Sequence, residues 1–289
     1  MLALSVDANN VIHGHDQNNN SSSGSGNAND TMLVRKEDYD STDLAIRNAL
    51  NETFLEVNEK GTPSTFLLGG CTATVTLRWG SKLYVANAGD SETIVVSASA
   101  SSKQQPPKKQ QQQQYDSLHA NVEYETRRDK ANQPEERARI EKLGGTIHVN
   151  ANGFDPRVIV YSEAAKDTIG LAMSRCIGDW EWKAVGVIAE PTIDLIDLSK
   201  ASLPDSGKVF FLLAASDGMW ERRQKQFYAT QMAASFQNSI ENLPNPRDND
   251  DANAQFRPLY HLYDIIQRIT PKVQTGYRDD ITAMIINLE

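Results

Sequence analysis

Cysteine is nearly missing from this chain of 289 residues, which holds only Cys71 and Cys176. Two thiols cannot build a disulfide scaffold or a cysteine-rich zinc module. A basic excess is missing as well. With 29 basic against 38 acidic residues the net charge is −9, which argues against a general nucleic-acid or anionic-membrane binder. No run approaches the roughly 20 apolar residues of a membrane-spanning helix. Met1 to Val6 is apolar but lacks a basic flank and is too short for a signal core. There is no Gly-rich phosphate loop, no G-x-S-x-G elbow and no Cys–His nucleophile motif. The five histidines show no zinc-ligand spacing. The expectation is a soluble monomer of a reducing compartment, cytoplasmic and/or nuclear, with neither nucleic acid nor membrane as partner.

What is present is unevenly spread. Apolar residues make up 39% of the chain, low for a globular domain, because polar residues collect in tracts. Residues 16–30 are almost pure Asn, Ser, Gly and Asp, and residues 103–114 read KQQPPKKQQQQQ. Such stretches cannot bury a core. Residues 1–40 are therefore read as a disordered, low-complexity segment, and 41–289 as one domain with a Gln-rich loop insertion at 99–118. Ser41 is placed to cap a helix with Ile46, Leu50, Phe54 and Val57 on its apolar face. Thr72 to Trp79 alternates, with Ala73, Val75, Leu77 and Trp79 on one face, and Gly80-Ser81 turns it into a second strand over Lys82 to Asn87. Further strands are expected at Ile94 to Val96, near Ala120 to Tyr124, at Val209 to Ala215 and at Thr282 to Leu288. Pro134 and Gly144-Gly145 bracket a helix, and Leu259 to Ile269 predicts another. Short strands in hairpins with few helices point to mixed α and β with antiparallel sheets.

Several acids stand where a strand meets a turn: Asp90 in Gly89-Asp90-Ser91, Asp217 in Ser216-Asp217-Gly218, and Asp279 in Arg278-Asp279-Asp280. A carboxylate at the end of a buried strand needs a cation, hydrogen-bond donors or a raised pKa. Hard divalent ions take dispersed oxygen ligands, and two such ions can ready a water for in-line attack on a phosphate. The same residues also cap turns, as Asp does before Gly. Cys71 and Cys176 sit in apolar segments, as packed rather than reactive thiols.

Taken in order, these segments resemble the metal-dependent PPM-type protein serine/threonine phosphatases. The matching stretches are Gly69-Gly70-Cys71-Thr72-Ala73, Leu83 to Ser91 (LYVANAGDS), Glu135 to Gly145 (EERARIEKLGG), Leu171 to Asp179 (LAMSRCIGD), Leu213 to Trp220 (LAASDGMW) and Arg278-Asp279-Asp280-Ile281-Thr282. The resemblance implies an α+β fold, a four-layer αββα sandwich of two antiparallel sheets flanked by helices. It implies hydrolysis of phosphoserine and phosphothreonine in phosphorylated protein substrates by a metal-activated water. Asp217 and Asp279 would be ligands of a centre of two Mg²⁺ or Mn²⁺ ions; Asp90, Asp217 and Glu221 would serve a third, weaker metal site. Glu221 stands where the family commonly has Asp, and Glu92 where it often has Arg. Ser174, Arg175 and Asp179 are read as structural.

The resemblance also calls for an upstream D-G-H-G-G strand end and an Arg that holds the substrate phosphate. Neither is found, and His13-Gly14-His15-Asp16 has the wrong order. The first strands of the sandwich are thus expected to be lacking. Three readings stand: part of a functional phosphatase, a non-catalytic pseudophosphatase acting as a binding module, or an enzyme that rebuilds its site from elsewhere.

Overall fold

The computed structural model describes residues 32–61, 69–99, 119–150, 155–200, 208–220, 223–241 and 279–288. In chain order the elements are α1 (Ser41–Lys60), β1 (Gly70–Cys71), β2 (Ala73–Trp79), β3 (Lys82–Ala88), β4 (Glu92–Ser99), β5 (His119–Glu125), α2 (Pro134–Lys142), β6 (Thr146–His148), β7 (Arg157–Ser162) and β8 (Asp167–Leu171). There follow β9 (Ile177–Gly178), α3 (Trp180–Lys183), β10 (Thr192–Asp197), β11 (Lys208–Ala215), α4 (Asp217–Trp220), α5 (Lys225–Glu241) and β12 (Ala283–Asn287). The described residues fall into two compact units. One is drawn from residues up to Glu92 and from Thr126–Ser199, the other from Thr93–Glu125 and from Lys200 onward.

In the first unit, the cap of α1 lies one residue before the expected Ser41. Asp40 is extended, and its carboxylate accepts Asp43 N–H at 2.9 Å while Asp43 accepts Asp40 N–H at 3.0 Å. A carboxylate at this position satisfies an orphan donor of the first turn and favours the helix dipole. Phe54 is buried and Leu50 and Ile46 are half-buried, but Val57 is 45% exposed. Asn58 is buried instead, accepting Gly178 N–H at 3.0 Å. The apolar face therefore ends at Phe54, and a polar contact finishes the helix.

The β2–β3 hairpin runs from Ala73↔Ala88 to Trp79↔Lys82, and β10 pairs antiparallel on the other side of β3. Gly80 turns it at φ +61°, a conformation glycine adopts at no steric cost. The alternation of β2 fades toward this turn, where Trp79 is 38% exposed. At the other end Thr74 is buried on the polar face, donating to Asn87 Oδ1 at 2.5 Å. Strands β6, β7 and β8 form a second antiparallel sheet, which together with α2 and α3 gathers Ile140, Val158, Cys176, Trp182 and Val187 into a core. Trp182 donates its indole N–H to Val158 O at 2.8 Å.

The second unit is a sheet in the order β12-β11-β4-β5. β11 is buried along Phe210 to Ala215, as a continuous apolar run requires. Ile94, Val96, Leu213, Met219, Trp220, Tyr228 and Met232 pack together as its core. Tyr228 stands edge-on to Trp220 at 5.4 Å and 88°, a favoured aromatic arrangement. β4 and β5 pair antiparallel up to Ser99↔His119. The Gln-rich tract between them lies outside the described residues, as do the expected helix at Leu259 to Ile269 and residues 1–31. Among the described residues no helix is long and apolar enough to cross a membrane.

Candidate active site

Asp217 and Asp279 come together at one end of the β11–β12 pair. The register closes at Ala215↔Ala283. Beyond it Ser216 continues the pairing: its N–H donates to Thr282 O at 2.9 Å, and its hydroxyl accepts Thr282 N–H at 3.0 Å and donates to Asp280 O at 3.2 Å. Gly218 then brings the two turns into contact. A Cβ there would lie 2.5 Å from Asp280 O and 3.2 Å from Asp279 Cβ, so only a residue without a side chain allows this approach. Each aspartate is half-buried, and each accepts the next main-chain N–H: Asp217 from Gly218 at 2.9 Å, Asp279 from Asp280 at 3.0 Å. The short helix α4 is anchored behind them. Trp220 donates its indole N–H to Ala215 O at 2.9 Å, and Tyr228 donates its hydroxyl to Met219 O.

These positions suit a hard divalent cation in donor chemistry, because two carboxylates stand on turns that meet at Gly218. Among the described residues no group of three or more His, Cys, Asp or Glu side chains forms a metal-holding cluster. Asp217 and Asp279 thus stand as a pair, without a third such side chain grouped with them among the described residues. Glu221 lies outside the described residues.

Asp90, the remaining sequence candidate, belongs to the first unit, in the turn between β3 and β4. It is buried, and Lys130 Nζ lies 2.5 Å from its Oδ2. Sequence reading did not foresee this partner. Nor did it foresee that Glu92, also buried, pairs with Arg128. The positive charge that Glu92 removes from the turn is returned by a neighbouring segment.

A buried polar cluster lies beside this turn. Glu136 accepts from Arg175 Nη2 at 2.6 Å, Arg139 Nη2 at 2.7 Å, Arg127 Nη2 at 3.1 Å and Ser174 Oγ at 2.7 Å. Burial pushes its carboxyl up, but the Arg175 and Arg139 guanidiniums prevail and hold it at about 2. Asp129 accepts Gly89 N–H at 3.0 Å, and burial lifts its carboxyl to about 6 against the pull of Arg175. Ser174 and Arg175 are thus tied into structure. Asp179 takes φ +52° and donates its N–H to Gly69 O at 2.9 Å. Burial pushes the Cys71 and Cys176 thiols up, the opposite of what a reactive thiolate needs.

Comparison with known proteins gives this geometry a family. The protein phosphatase 2C family model matches residues 4–242, and the chain belongs to that family. The match opens inside the segment read as low-complexity and stops short of Asp279. A probable protein phosphatase 2C 2 of Paramecium tetraurelia is 31% identical over 194 residues, covering 60% of this chain and 51% of that protein. Protein phosphatase 2C homolog 3 of Schizosaccharomyces pombe is 30% identical over 208 residues, covering 68% of this chain and 39% of that one. The chain spans about half, or less, of the length of the curated relatives it matches. Serine-threonine phosphatase 2C from Toxoplasma gondii superposes with a TM-score of 0.53 at 17% identity, covering 87% of this chain and 72% of that one. A Caenorhabditis elegans sex determining protein gives 0.51 at 17% identity, covering 88% and 49%. The fold is that of these two structures, mixed α and β with antiparallel sheets, as the motifs implied.

Proposed function

We propose that this chain carries the carboxylate end of a metal-dependent protein phosphatase that hydrolyses phosphoserine and phosphothreonine in proteins. Asp217 and Asp279 hold the metal, Mg²⁺ or Mn²⁺. The observation that carries this reading is the contact at Gly218, which joins the two aspartate turns in a chain of the protein phosphatase 2C family. When bound, such cations supply Lewis acidity toward the phosphoryl oxygens and lower the pKa of a water. The chain's own part is to place the ligands. Ser216 locks the Thr282 and Asp280 main chain, Gly218 lets the turns meet, and Trp220 fixes α4 through Ala215 O.

Manganese-dependent release of phosphate from a phosphothreonine peptide tests this reading. Asp217→Asn should lower activity by at least the roughly 10–100-fold that loss of a residue merely supporting a metal ligand costs, while thermal unfolding stays close to wild type. A well-folded chain that is inactive at every manganese concentration would overturn the reading.

A further inference from the structure

Asp90 is the residue that family resemblance assigns to a third divalent cation, and the structure gives its carboxylate another partner. Lys130 Nζ sits 2.5 Å from Asp90 Oδ2, with 4% of the Asp90 side chain and 22% of the Lys130 side chain exposed. The lysine does not reach in on a loose tether. Its neighbour Asp129 grips the turn at two points, donating its N–H to Gly89 O and accepting Gly89 N–H on its carboxylate, both at 3.0 Å. Asn87 adds a side-chain N–H to Gly89 O at 3.0 Å. On the far side of Asp129, Arg128 meets Glu92. The stretch from Arg128 to Lys130 thus acts as a strap that delivers one base to each buried acid of the turn.

The turn is equally fixed. Gly89 has φ +127°, and a Cβ there would lie 2.4 Å from Thr72 Cγ2. Thr72 and Ser91 hydroxyls share a hydrogen bond of 2.7 Å. A divalent ion at Asp90 would have to displace an ammonium that strap and turn both hold, or sit beside it. The Asp90 carboxylate is already neutralised by the lysine, so at this sheltered position it has no net negative charge left to offer a divalent ion.

We propose that Lys130 is the resident cation of Asp90, so that this carboxylate takes no divalent ion while the lysine is present. Lys130 is then a positioning residue: it fixes the Gly89–Ser91 turn without metal. A compact point charge with freely rotating donors suits a single carboxylate oxygen in this way.

The test counts Mn²⁺ bound by the full chain, from the paramagnetic resonance signal of the free ion, with thermal unfolding as the check on folding. Asp90→Asn should bind as many Mn²⁺ equivalents as wild type, with unchanged affinity. Lys130→Met should gain one further, weaker equivalent, which the Lys130→Met/Asp90→Asn double variant lacks. Loss of an equivalent in Asp90→Asn, or no gain in folded Lys130→Met, overturns the proposal. If Lys130→Met does not fold, Asp90→Asn still decides between the two. The inference rests on the phosphatase reading only in its choice of Mn²⁺: a wild-type chain that binds none sinks that reading, while the Lys130→Met arm still judges this one.

Discussion

Gly218→Ala separates the site from the stability of the fold. On backbone grounds alanine should help, since it is favoured over glycine in a helix by about 1 kcal/mol. Packing says otherwise. The new Cβ would stand 2.5 Å from Asp280 O, and ordinary contact begins at 3.4 Å, so the turns must part by 3.4 − 2.5 = 0.9 Å. The obstructing atom is a main-chain carbonyl, which cannot rotate away as a side chain would. Overpacking of this kind costs about 1–3 kcal/mol. Set against the helix gain, the net loss of stability should be about 0–2 kcal/mol. At the site the same displacement should matter far more, because a shift near 1 Å in reacting groups can cost about 10²-fold in rate. The expected result is a small fall in Tm beside a large fall in manganese-dependent phosphopeptide hydrolysis. Gly80→Ala is the control: at φ +61° with nothing within 4 Å of its Cβ, it should cost about 1–2 kcal/mol of backbone strain and leave activity intact. Wild-type activity in Gly218→Ala would refute the claim that this contact sets the spacing of Asp217 and Asp279.

Two further outcomes concern the polar cluster. Burial lifts the Asp129 carboxyl to about 6 in the fold against an ordinary 3.8. Its protonation should therefore stabilise the protein by on the order of 3 kcal/mol, fully present below pH 3.8 and lost as pH rises through 6. Glu136 runs the other way: held at about 2 against 4.5, it contributes on the order of 3 kcal/mol above pH 4.5, lost as pH falls through 2. Urea midpoints should thus rise from pH 7 to pH 5 in wild type and much less in Asp129→Asn; parallel profiles would contradict the assignment. Arg175→Ala should cost about 3 kcal/mol by urea unfolding, at the low end for a broken buried pair because Arg139, Arg127 and Ser174 remain on Glu136. Arg137→Ala breaks a half-exposed pair with Glu141 and should cost under about 1 kcal/mol.

Where one chemical preference dominates, the sequence was easy to read. Alternation over Ala73 to Trp79 with glycine at the turn leaves few options besides a hairpin, and it forms in the expected register. The apolar run before Ser216 had to be a buried strand. The sheet of β6, β7 and β8 is not among the expected strands: Thr146–His148 has three residues with only Ile147 apolar, and Asp167–Leu171 is broken by Gly170, so that only Arg157–Ser162 carries an apolar run. Its stability comes from neighbours such as Trp182, far away in sequence. The helix cap was misplaced by one residue because Asp40 and Ser41 are both good caps. Backbone geometry chose between them, with Asp40 extended at φ −81°, ψ 176°.

Partners of buried charge were the hardest to foresee, and for a definite reason. Glu92 in place of arginine reads locally as a charge removed, but a carboxylate at the start of a buried strand cannot stay unpaired without a large desolvation cost. Its presence already demands a base from some other segment. The chain supplies one 36 residues on, where Arg128 meets Glu92, and Lys130 meets Asp90 at a distance of 40 residues. Both bases flank Asp129, whose own burial is offset only in part by Gly89 N–H and by Arg127 at 3.1 Å. The run Arg127-Arg128-Asp129-Lys130 therefore has the form required to neutralise a turn rich in buried acid. The strap was legible in principle: two buried acids around Gly89 call for two bases with fixed spacing, and this stretch provides them.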